Sequence, residues 1–330
     1  MNYVVSILYI VSFAMFIYGL MGLTGPKTAV RGNWIAAAGM AVAIIATLIL
    51  IRDTDNWPLI IAGLLIGVVL GVPPARMTKM TAMPQLVALF NGVGGGTVAL
   101  IALAEFMDTE GFSAFKHGEE PTVHIVVGSL FAAIIGSISF WGSLIAFGKL
   151  QEILPGRPIG FGKVQQPFNI LLLIGSVAAC VVIGLDAHPG TGGASLWWMI
   201  AVLVLAGVLG LMVVLPIGGA DMPVVISMLN ALTGLSAAAA GMALNNQAMI
   251  VAGMLVGASG SILTNLMAKA MNRSIPAIVA GGFGGGGGVG GDGDSGEKVV
   301  KSTSAADAAI QMAYANQVII VPGYGLAVAQ

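Results

Sequence analysis

The sequence has 330 residues, of which 57% are hydrophobic and only 8% are charged, with a formal net charge of -1. Soluble domains carry roughly 25% charged residues, so the composition excludes an ordinary soluble protein. With a net charge near zero, the chain lacks the excess of basic residues that is typical of nucleic-acid-binding proteins. The single cysteine, Cys180, lies in an apolar stretch. It cannot form an internal disulfide, and we expect it to be a small buried hydrophobe.

Nine apolar stretches occupy residues 3–270. A helix that spans a bilayer needs about 20 mostly apolar residues, so the stretches predict an all-α polytopic membrane domain. The first stretch lacks a basic flank and is longer than the core of a signal peptide, which predicts a retained helix. The predicted spans are 3–23, 34–51, 57–72, 84–106, 123–147, 168–185, 195–216, 222–243 and 248–270.

Lysine and arginine are distributed unevenly between the predicted loops. Nine lie in the loops after the odd-numbered spans, against two, Arg52 and Lys116, on the other side. Cytoplasmic loops carry the excess of these residues, so the N-terminus is predicted to lie outside and the C-terminal segment in the cytoplasm. The nine residues are Lys27, Arg31, Arg76, Lys79, Lys149, Arg157, Lys163, Lys269 and Arg273.

A glycine tract follows the apolar region, with eleven glycines among the sixteen residues 281–296. No predicted strand precedes it and no Gly-Lys-Ser/Thr ends it, which favours a flexible linker over a phosphate-binding loop. The predicted organisation is a transmembrane domain over 1–274, a Gly-rich linker over 275–301 and the beginning of a nucleotide-binding domain over 302–330.

The C-terminal segment predicts a helix and then a strand. The run Ser302-Thr303-Ser304 with Asp307 is typical of a helix N-cap before 305–315, and 318–321 is a β-branched run typical of a buried parallel strand. About 30 residues cannot bury a core alone, so we expect a truncated Rossmann-like α/β segment. A glycine turn follows the strand, where a dinucleotide pyrophosphate would bind, although an ordinary glycine turn is the alternative. Its residues are Gly323, Tyr324, Gly325, Ala327 and Val328.

Two amides lie at matching depth in the predicted membrane helices. Asn91 and Asn230 are each roughly 10–12 Å from the predicted cytoplasmic end of their helix, and Thr233 shares a face with Asn230. Polar residues inside a membrane are functional candidates, so these side chains predict a polar pathway. Hydrogen bonds that only hold helices together are the alternative.

Two further features concern the last two predicted spans. Gly253, Gly257, Ser261 and Asn265 follow strict four-residue spacing, which predicts a stripe for close helix packing, with Asn265 as a polar candidate. Asp221 precedes the eighth span, where it could cap the helix or pair with Arg273 from the same predicted side. No Asp, Glu, Lys, Arg or His lies at mid-membrane depth in any predicted span.

These motifs resemble the beta subunit of the proton-translocating NAD(P) transhydrogenase family, and the resemblance covers the whole chain. The matching runs are Met77-Thr-Lys-Met-Thr-Ala-Met-Pro-Gln-Leu-Val-Ala, Gly218-Gly-Ala-Asp-Met-Pro-Val-Val-Ile-Ser-Met-Leu-Asn230, Lys269-Ala-Met-Asn-Arg-Ser, Ala280-Gly-Gly-Phe-Gly and Pro322-Gly-Tyr-Gly-Leu-Ala-Val-Ala-Gln330.

The resemblance implies a membrane subunit of an enzyme that couples hydride transfer between NAD(H) and NADP(H) to inward proton movement. It implies an alpha subunit that supplies the NAD(H) domain and further membrane helices, a dimer of the alpha-beta unit, and the bacterial cytoplasmic membrane as location. This chain alone is then expected to be inactive. The resemblance places Asn230 and Thr233 on the proton path, Asp221 and Arg273 at the coupling junction, and NADP(H) at the glycine turn.

The sequence departs from the family pattern in two places. Some members carry a channel histidine at the position of Asn91, so the titrating group is expected elsewhere. The family's NADP(H) domain also extends beyond Gln330, so an incomplete NADP(H) site is expected. The alternative function is a secondary transporter or channel component with a cytoplasmic regulatory tail, because broken helices and midplane polar groups are common in transporters.

Overall fold

The computed structural model describes residues 2–113, 123–187, 193–282 and 304–320. These residues form eleven α-helices and no strand. The helices are α1 Asn2–Gly22, α2 Ala29–Leu50, α3 Trp57–Met77, α4 Met83–Asp108, α5 Val123–Leu150, α6 Gln165–Asp186, α7 Leu196–Val214, α8 Met222–Ala243, α9 Gln247–Ala270, α10 Ile275–Gly282 and α11 Ala305–Tyr314.

Nine of the helices in the described part of the chain, α1 to α9, are long and apolar enough to cross a membrane. The prediction of nine spans is therefore confirmed at the level of length and composition. One boundary difference matters for function. Helix α5 was predicted to end at residue 147 but continues to Leu150, so Lys149 lies in its last turn rather than in a loop.

Helix α5 is the centre of the bundle and packs against α4, α7 and α8. Helices α8 and α9 form the other extensive pair of this region, and α1 pairs with α2. The α4–α5 pair approaches closely where two glycines face each other. A Cβ atom at Gly95 would lie 3.0 Å from the carbonyl oxygen of Gly136. Small residues permit such close contact between membrane helices, and this contact sets the spacing of the polar side chains nearby.

Helix α3 contrasts with the bundle because none of its residues is buried. A Cβ atom added at Gly63, Gly67 or Gly71 would meet no other atom within 4 Å. In a membrane, an apolar helix surface of this kind is compatible with lipid, because lipid tails are as apolar as leucine. The helix therefore contributes no side chain to the interior of the described bundle.

The region after the last span differs from the sequence-based prediction in two ways. Helix α10 forms where the linker was expected to begin, and its Ile278 is buried in a cluster that includes Val214 and Ala268. This helix is stabilised by apolar neighbours on α7 and α9.

The C-terminal segment confirms the predicted helix cap and corrects the predicted strand. Ser304 and Asp307 form a capping box at the start of α11. Residues 318–320 have no strand assignment, so the Rossmann-like α/β arrangement is not supported in the described part of the chain. A parallel strand is completed by hydrogen bonds to a neighbouring strand, and the described residues contain none.

Candidate functional site: a polar cluster and a charged junction

Asn91 lies in the interior of the bundle and is 8% exposed. Its Nδ2 atom donates hydrogen bonds to the Oγ atoms of Ser143, at 2.8 Å, and Ser139, at 3.3 Å. Both serines belong to α5, one helical turn apart, so they lie on the face that α4 covers. The Oδ1 atom of Asn91 is buried and has no hydrogen-bond partner among the described residues. The amide therefore keeps one free acceptor.

Ser139 extends the hydrogen bonding from α4 and α5 to a third helix. Its hydroxyl group is hydrogen bonded to the hydroxyl of Thr233 on α8, and it also donates to the carbonyl oxygen of Leu229 at 3.3 Å. The Thr233 hydroxyl contacts the same carbonyl oxygen at 2.9 Å. We call the four connected side chains the polar cluster. Its members are Asn91, Ser139, Ser143 and Thr233.

The polar cluster is uncharged, and each of its members can both donate and accept hydrogen bonds. A chain of such groups can orient water and relay a proton, but it cannot hold a charge near neutral pH, since none of the four groups titrates there. The cluster is therefore a candidate relay that needs a separate titrating group.

Asn230 lies beside the cluster rather than within it. Its side chain is half-buried and forms no hydrogen bond to any described residue. Residues three apart on a helix differ by about 60° in direction, and only Thr233 of the two reaches a hydroxyl of α5. The two amides predicted to share a pathway are thus not joined by the described hydrogen bonds, and Asn230 leaves its polar group open to a neighbour outside this chain.

The predicted small-residue stripe on α9 is wrong in its second half. Gly253 and Gly257 are buried, but Ser261 and Asn265 are exposed. Strict four-residue spacing drifts by about 40° per step on a helix of 3.6 residues per turn. The buried series continues instead through Gly260.

Thr264 is the buried polar residue of this face, not Asn265. It is 3% exposed, and its Oγ1 atom donates to the Oγ atom of Ser227 on α8 at 3.0 Å. Asn265 follows Thr264 by one residue and therefore points about 100° away from it. A part for Asn265 in proton transfer stays a prediction, and it would require contacts beyond those of this chain.

Asp221 and Arg273 form the ion pair that the sequence offered as an alternative to a helix cap. The Nη2 atom of Arg273 donates to Oδ2 of Asp221 at 3.2 Å, with side-chain exposures of 45% and 17%. Asp221 occupies the N-cap position of α8 but makes no capping hydrogen bond. The contact joins the start of α8 to the chain leaving α9, as the predicted pairing required.

Lys149 is a buried cation at the same end of the bundle. It is 3% exposed, and its Nζ atom donates to the carbonyl oxygens of Leu215 and Ile217, the latter at 2.7 Å. These carbonyls belong to the turn between α7 and α8, shortly before Asp221. We call Lys149, the turn 215–221 and the Asp221–Arg273 pair the charged junction.

The residues predicted to bind a nucleotide lie outside the described residues. This applies to Gly323, Tyr324, Gly325, Ala327 and Val328. Cys180, predicted to be buried, is half-buried on α6.

Three residues of the site were missed by the sequence analysis. Ser139 and Ser143 could have been found from their four-residue spacing within a predicted helix, because that spacing places two hydroxyls on one face. Lys149 was counted as a loop residue. The apolar Leu150 that follows the lysine could have shown that the helix continues through Lys149.

Comparisons with known proteins agree with this architecture. The family described as NAD(P) transhydrogenase beta subunit matches residues 5–330. Two curated sequences from Rhodospirillum rubrum, one of them from a named strain, are each called NAD(P) transhydrogenase subunit beta. Each is 43% identical to this chain over 323 residues, which is 98% of this chain and 68% of the relative.

Proposed function

The chain belongs to the NAD(P) transhydrogenase beta subunit family, and we propose that its polar cluster forms part of the proton path of that enzyme. It is the membrane subunit of the proton-coupled NAD(P) transhydrogenase, an oxidoreductase. This membership replaces the alternative of a secondary transporter with a regulatory tail. The observation that carries the proposal is the continuous hydrogen bonding from Asn91 through Ser139 to Thr233.

The cluster suits proton relay because it is polar, connected and enclosed. An apolar bundle gains only about 0.6 kcal/mol on average from each interhelical hydrogen bond, so stability alone is a weak reason for three helices to share one network. The free Oδ1 acceptor of Asn91 can bind a water molecule that brings or removes a proton. Asn230 and Asn265 extend the proposed path towards surfaces that a partner would cover.

Reconstitution of the complete enzyme in liposomes tests this proposal. Thr233→Val keeps the shape of the side chain and removes its hydroxyl, and we expect it to reduce proton uptake during hydride transfer while the protein still assembles. Ser176→Ala is the matched control, because Ser176 is a buried hydroxyl that bonds only within its own helix, to Leu172. Normal proton uptake by Thr233→Val would contradict the relay.

We propose that the charged junction couples the proton path to nucleotide chemistry. Asp221 lies at the start of α8 and Arg273 follows the end of α9, directly before the segment that continues into α10. In the proposal, a shift of α8 that accompanies proton transfer alters the Asp221–Arg273 contact, and with it the position of the segment beyond. The arrangement provides a physical connection between the bundle and a domain attached after it.

Membership of the transhydrogenase family implies that the enzyme uses NAD(H) and NADP(H). Hydride transfer between NAD(H) and NADP(H) occurs between bound nucleotides, so this chain supplies no catalytic side chain in the proposal. We propose that NADP(H) is bound through the turn Gly323, Tyr324, Gly325 and the residues Ala327 and Val328 that follow it in the sequence. Glycines in that position allow the backbone to approach a pyrophosphate. Gly325→Val in the complete enzyme should weaken NADPH binding while leaving NADH binding unchanged.

We propose an alpha subunit as partner, which supplies the NAD(H) site and further membrane helices, and a dimer of the alpha-beta unit. The term beta subunit in the family description supports the first part. The open amide of Asn230 and the exposed Asn265 give such helices polar groups to contact. Mass measurement of the detergent-purified complex would test both parts, since a single alpha-beta unit would contradict the dimer.

We propose that the N-terminus faces outward and the C-terminal segment faces the cytoplasm of a bacterial cell. The uneven distribution of lysine and arginine supports this orientation. A topology reporter fused after Phe106 should be outside and one fused after Arg273 inside. Both reporters on one side would contradict the nine-span arrangement.

A further inference from the structure

The ammonium group of Lys149 is bound by backbone carbonyls instead of by an acid. Its Nζ atom contacts Leu215 and Ile217, and no carboxylate among the described residues lies within ion-pair distance of it. A buried charge is costly unless it is compensated. The carbonyls at the end of α7 carry the negative end of the helix dipole, which favours a cation there. Lys149 therefore holds this turn more tightly than a neutral side chain would.

The turn itself is fixed from a second side by the loop between α5 and α6. The carbonyl oxygen of Leu215 also accepts a hydrogen bond from the backbone N–H of Ile159 at 3.0 Å, and the N–H of Gly219 donates to Gly156 at 2.8 Å. Pro216 lies between the two carbonyls that bind Lys149 and cannot continue the helix. The turn leads within a few residues to Asp221.

Helix α5 connects the two halves of the site. It carries Ser139 and Ser143 of the polar cluster and, six residues beyond Ser143, the anchoring lysine. Six residues of helix span about 9 Å, so a single rigid element relates the cluster to the turn that bears Asp221. The Lys149 contacts join this element directly to the backbone of the turn.

From this geometry we propose that Lys149 is a positioning residue for proton-coupled turnover: it fixes the turn 215–221 on α5 and thereby places Asp221 for its contact with Arg273. This inference rests on the proposed function. It assigns to Lys149 no contact with a proton, a nucleotide or a reacting atom. Its effect on turnover is expected to pass through Asp221.

A double-mutant cycle in the complete enzyme tests the proposal. Lys149→Met keeps a long side chain and removes the donor, and we expect about a tenfold loss of proton-coupled hydride transfer, which corresponds to about 1.4 kcal/mol in the barrier. Asp221→Asn should cause a loss of its own. If Lys149 acts through Asp221, the double variant is no slower than the Asp221 variant. If the rate losses of the two single variants multiply in the double variant, Lys149 acts independently of Asp221 and the proposal is wrong.

Two further variants separate positioning from assembly. Lys149→Gln retains an N–H donor without charge, and it should recover part of the rate lost in Lys149→Met. Lys79→Met replaces an exposed lysine on the same predicted side and should leave the rate unchanged. The amount of assembled complex is measured by size-exclusion chromatography for each variant. If neither Lys149 variant assembles, the lysine is required for folding and the positioning proposal is wrong.

Measurements on the unmodified enzyme distinguish a failure of the Lys149 proposal from a failure of the proposed function on which it rests. Absence of proton uptake during hydride transfer by the unmodified complex would remove the proposed function. Proton uptake by the parent, together with an unchanged rate in an assembled Lys149→Met variant, would remove only the role of Lys149.

Discussion

The polar cluster and the charged junction share helices α5 and α8 but depend on different interactions. The cluster consists of neutral side chains enclosed between helices, whereas the junction contains Lys149, Asp221 and Arg273 at one end of the bundle. Charges are costly at the centre of a membrane and cheaper near its surface. In the proposed mechanism, proton relay and coupling therefore occupy separate places, because charged side chains are tolerated at the junction but not within the cluster.

The largest expected effect is at Asn230, where a substitution would show whether the relay extends beyond the cluster. Asn230→Leu removes the open amide, and leucine is favourable in a membrane helix, so the complex should assemble and bind NADPH. We expect proton-coupled turnover to be abolished in the complete enzyme. An assembled variant that pumps normally would make Asn230 a packing residue and confine the relay to the four cluster side chains.

A second prediction concerns the titrating group that the cluster lacks. A proton carried at neutral pH needs a group that changes charge, most often histidine, and Asn91 occupies the position where some family members have one. We expect a histidine or carboxylate on a membrane helix of the partner subunit, whose neutralisation stops pumping. Asn91→His in this chain should partly restore a partner variant that has lost it.

This second prediction also has a clear contrary outcome. If every ionisable group in the partner's membrane helices can be neutralised without loss of pumping, proton transfer would depend on water and neutral side chains. The proton path of the whole complex would then be uncharged, as the polar cluster is, and charge would be confined to the junction.

The third prediction tests whether close helix packing holds the cluster together. Gly95→Val would place side-chain atoms against the backbone of Gly136, and overpacking of this kind costs about 1–3 kcal/mol. We expect a lower thermal unfolding midpoint and slower coupled turnover. Gly67→Val is the matched control on α3, since nothing lies within 4 Å of its added Cβ. Equal effects at both positions would show that the close α4–α5 contact is not what holds the cluster together.

The smallest expected effect is the contribution of the junction's ion pair to stability. Asp221 and Arg273 are partly exposed, and exposed pairs contribute about 1 kcal/mol or less. Asp221→Asn should therefore change the unfolding midpoint little while it reduces proton-coupled hydride transfer. Added salt should weaken the pair further because it screens exposed charges. A large loss of stability would assign the pair to folding rather than to coupling.

The sequence predicted the positions of the helices better than it predicted which side of each helix is buried. The nine apolar runs reappear as α1 to α9 because hydrophobic length is a local property of the chain. The run 302–304 with Asp307 predicted the start of α11 for the same reason, since a helix cap involves residues only a few positions apart. For Asp221, charge and predicted side left a helix cap and a pair with Arg273 as alternatives, and the structure shows the pair.

Other features depended on relations between helices. The strand expected at 318–321 is not present over 318–320, because strand formation needs a partner that local composition does not supply. The sequence pattern assigned Lys149 to a loop, whereas it lies in the last turn of α5. The four-residue spacing placed Asn265 on a glycine stripe, whereas the buried face of α9 follows Gly260 and Thr264.

The sequence by itself predicted the nine apolar spans that appear as helices in the described residues, the family that the chain resembles, and the absence of Asp, Glu, Lys, Arg and His from mid-membrane depth. Tertiary structure decided which polar groups meet. Asn91 contacts Ser139 and Ser143 only because two glycines bring α4 and α5 together. Hydrophobicity acts on each segment separately, whereas a hydrogen bond between helices depends on the rotation and spacing of both, which no single segment encodes.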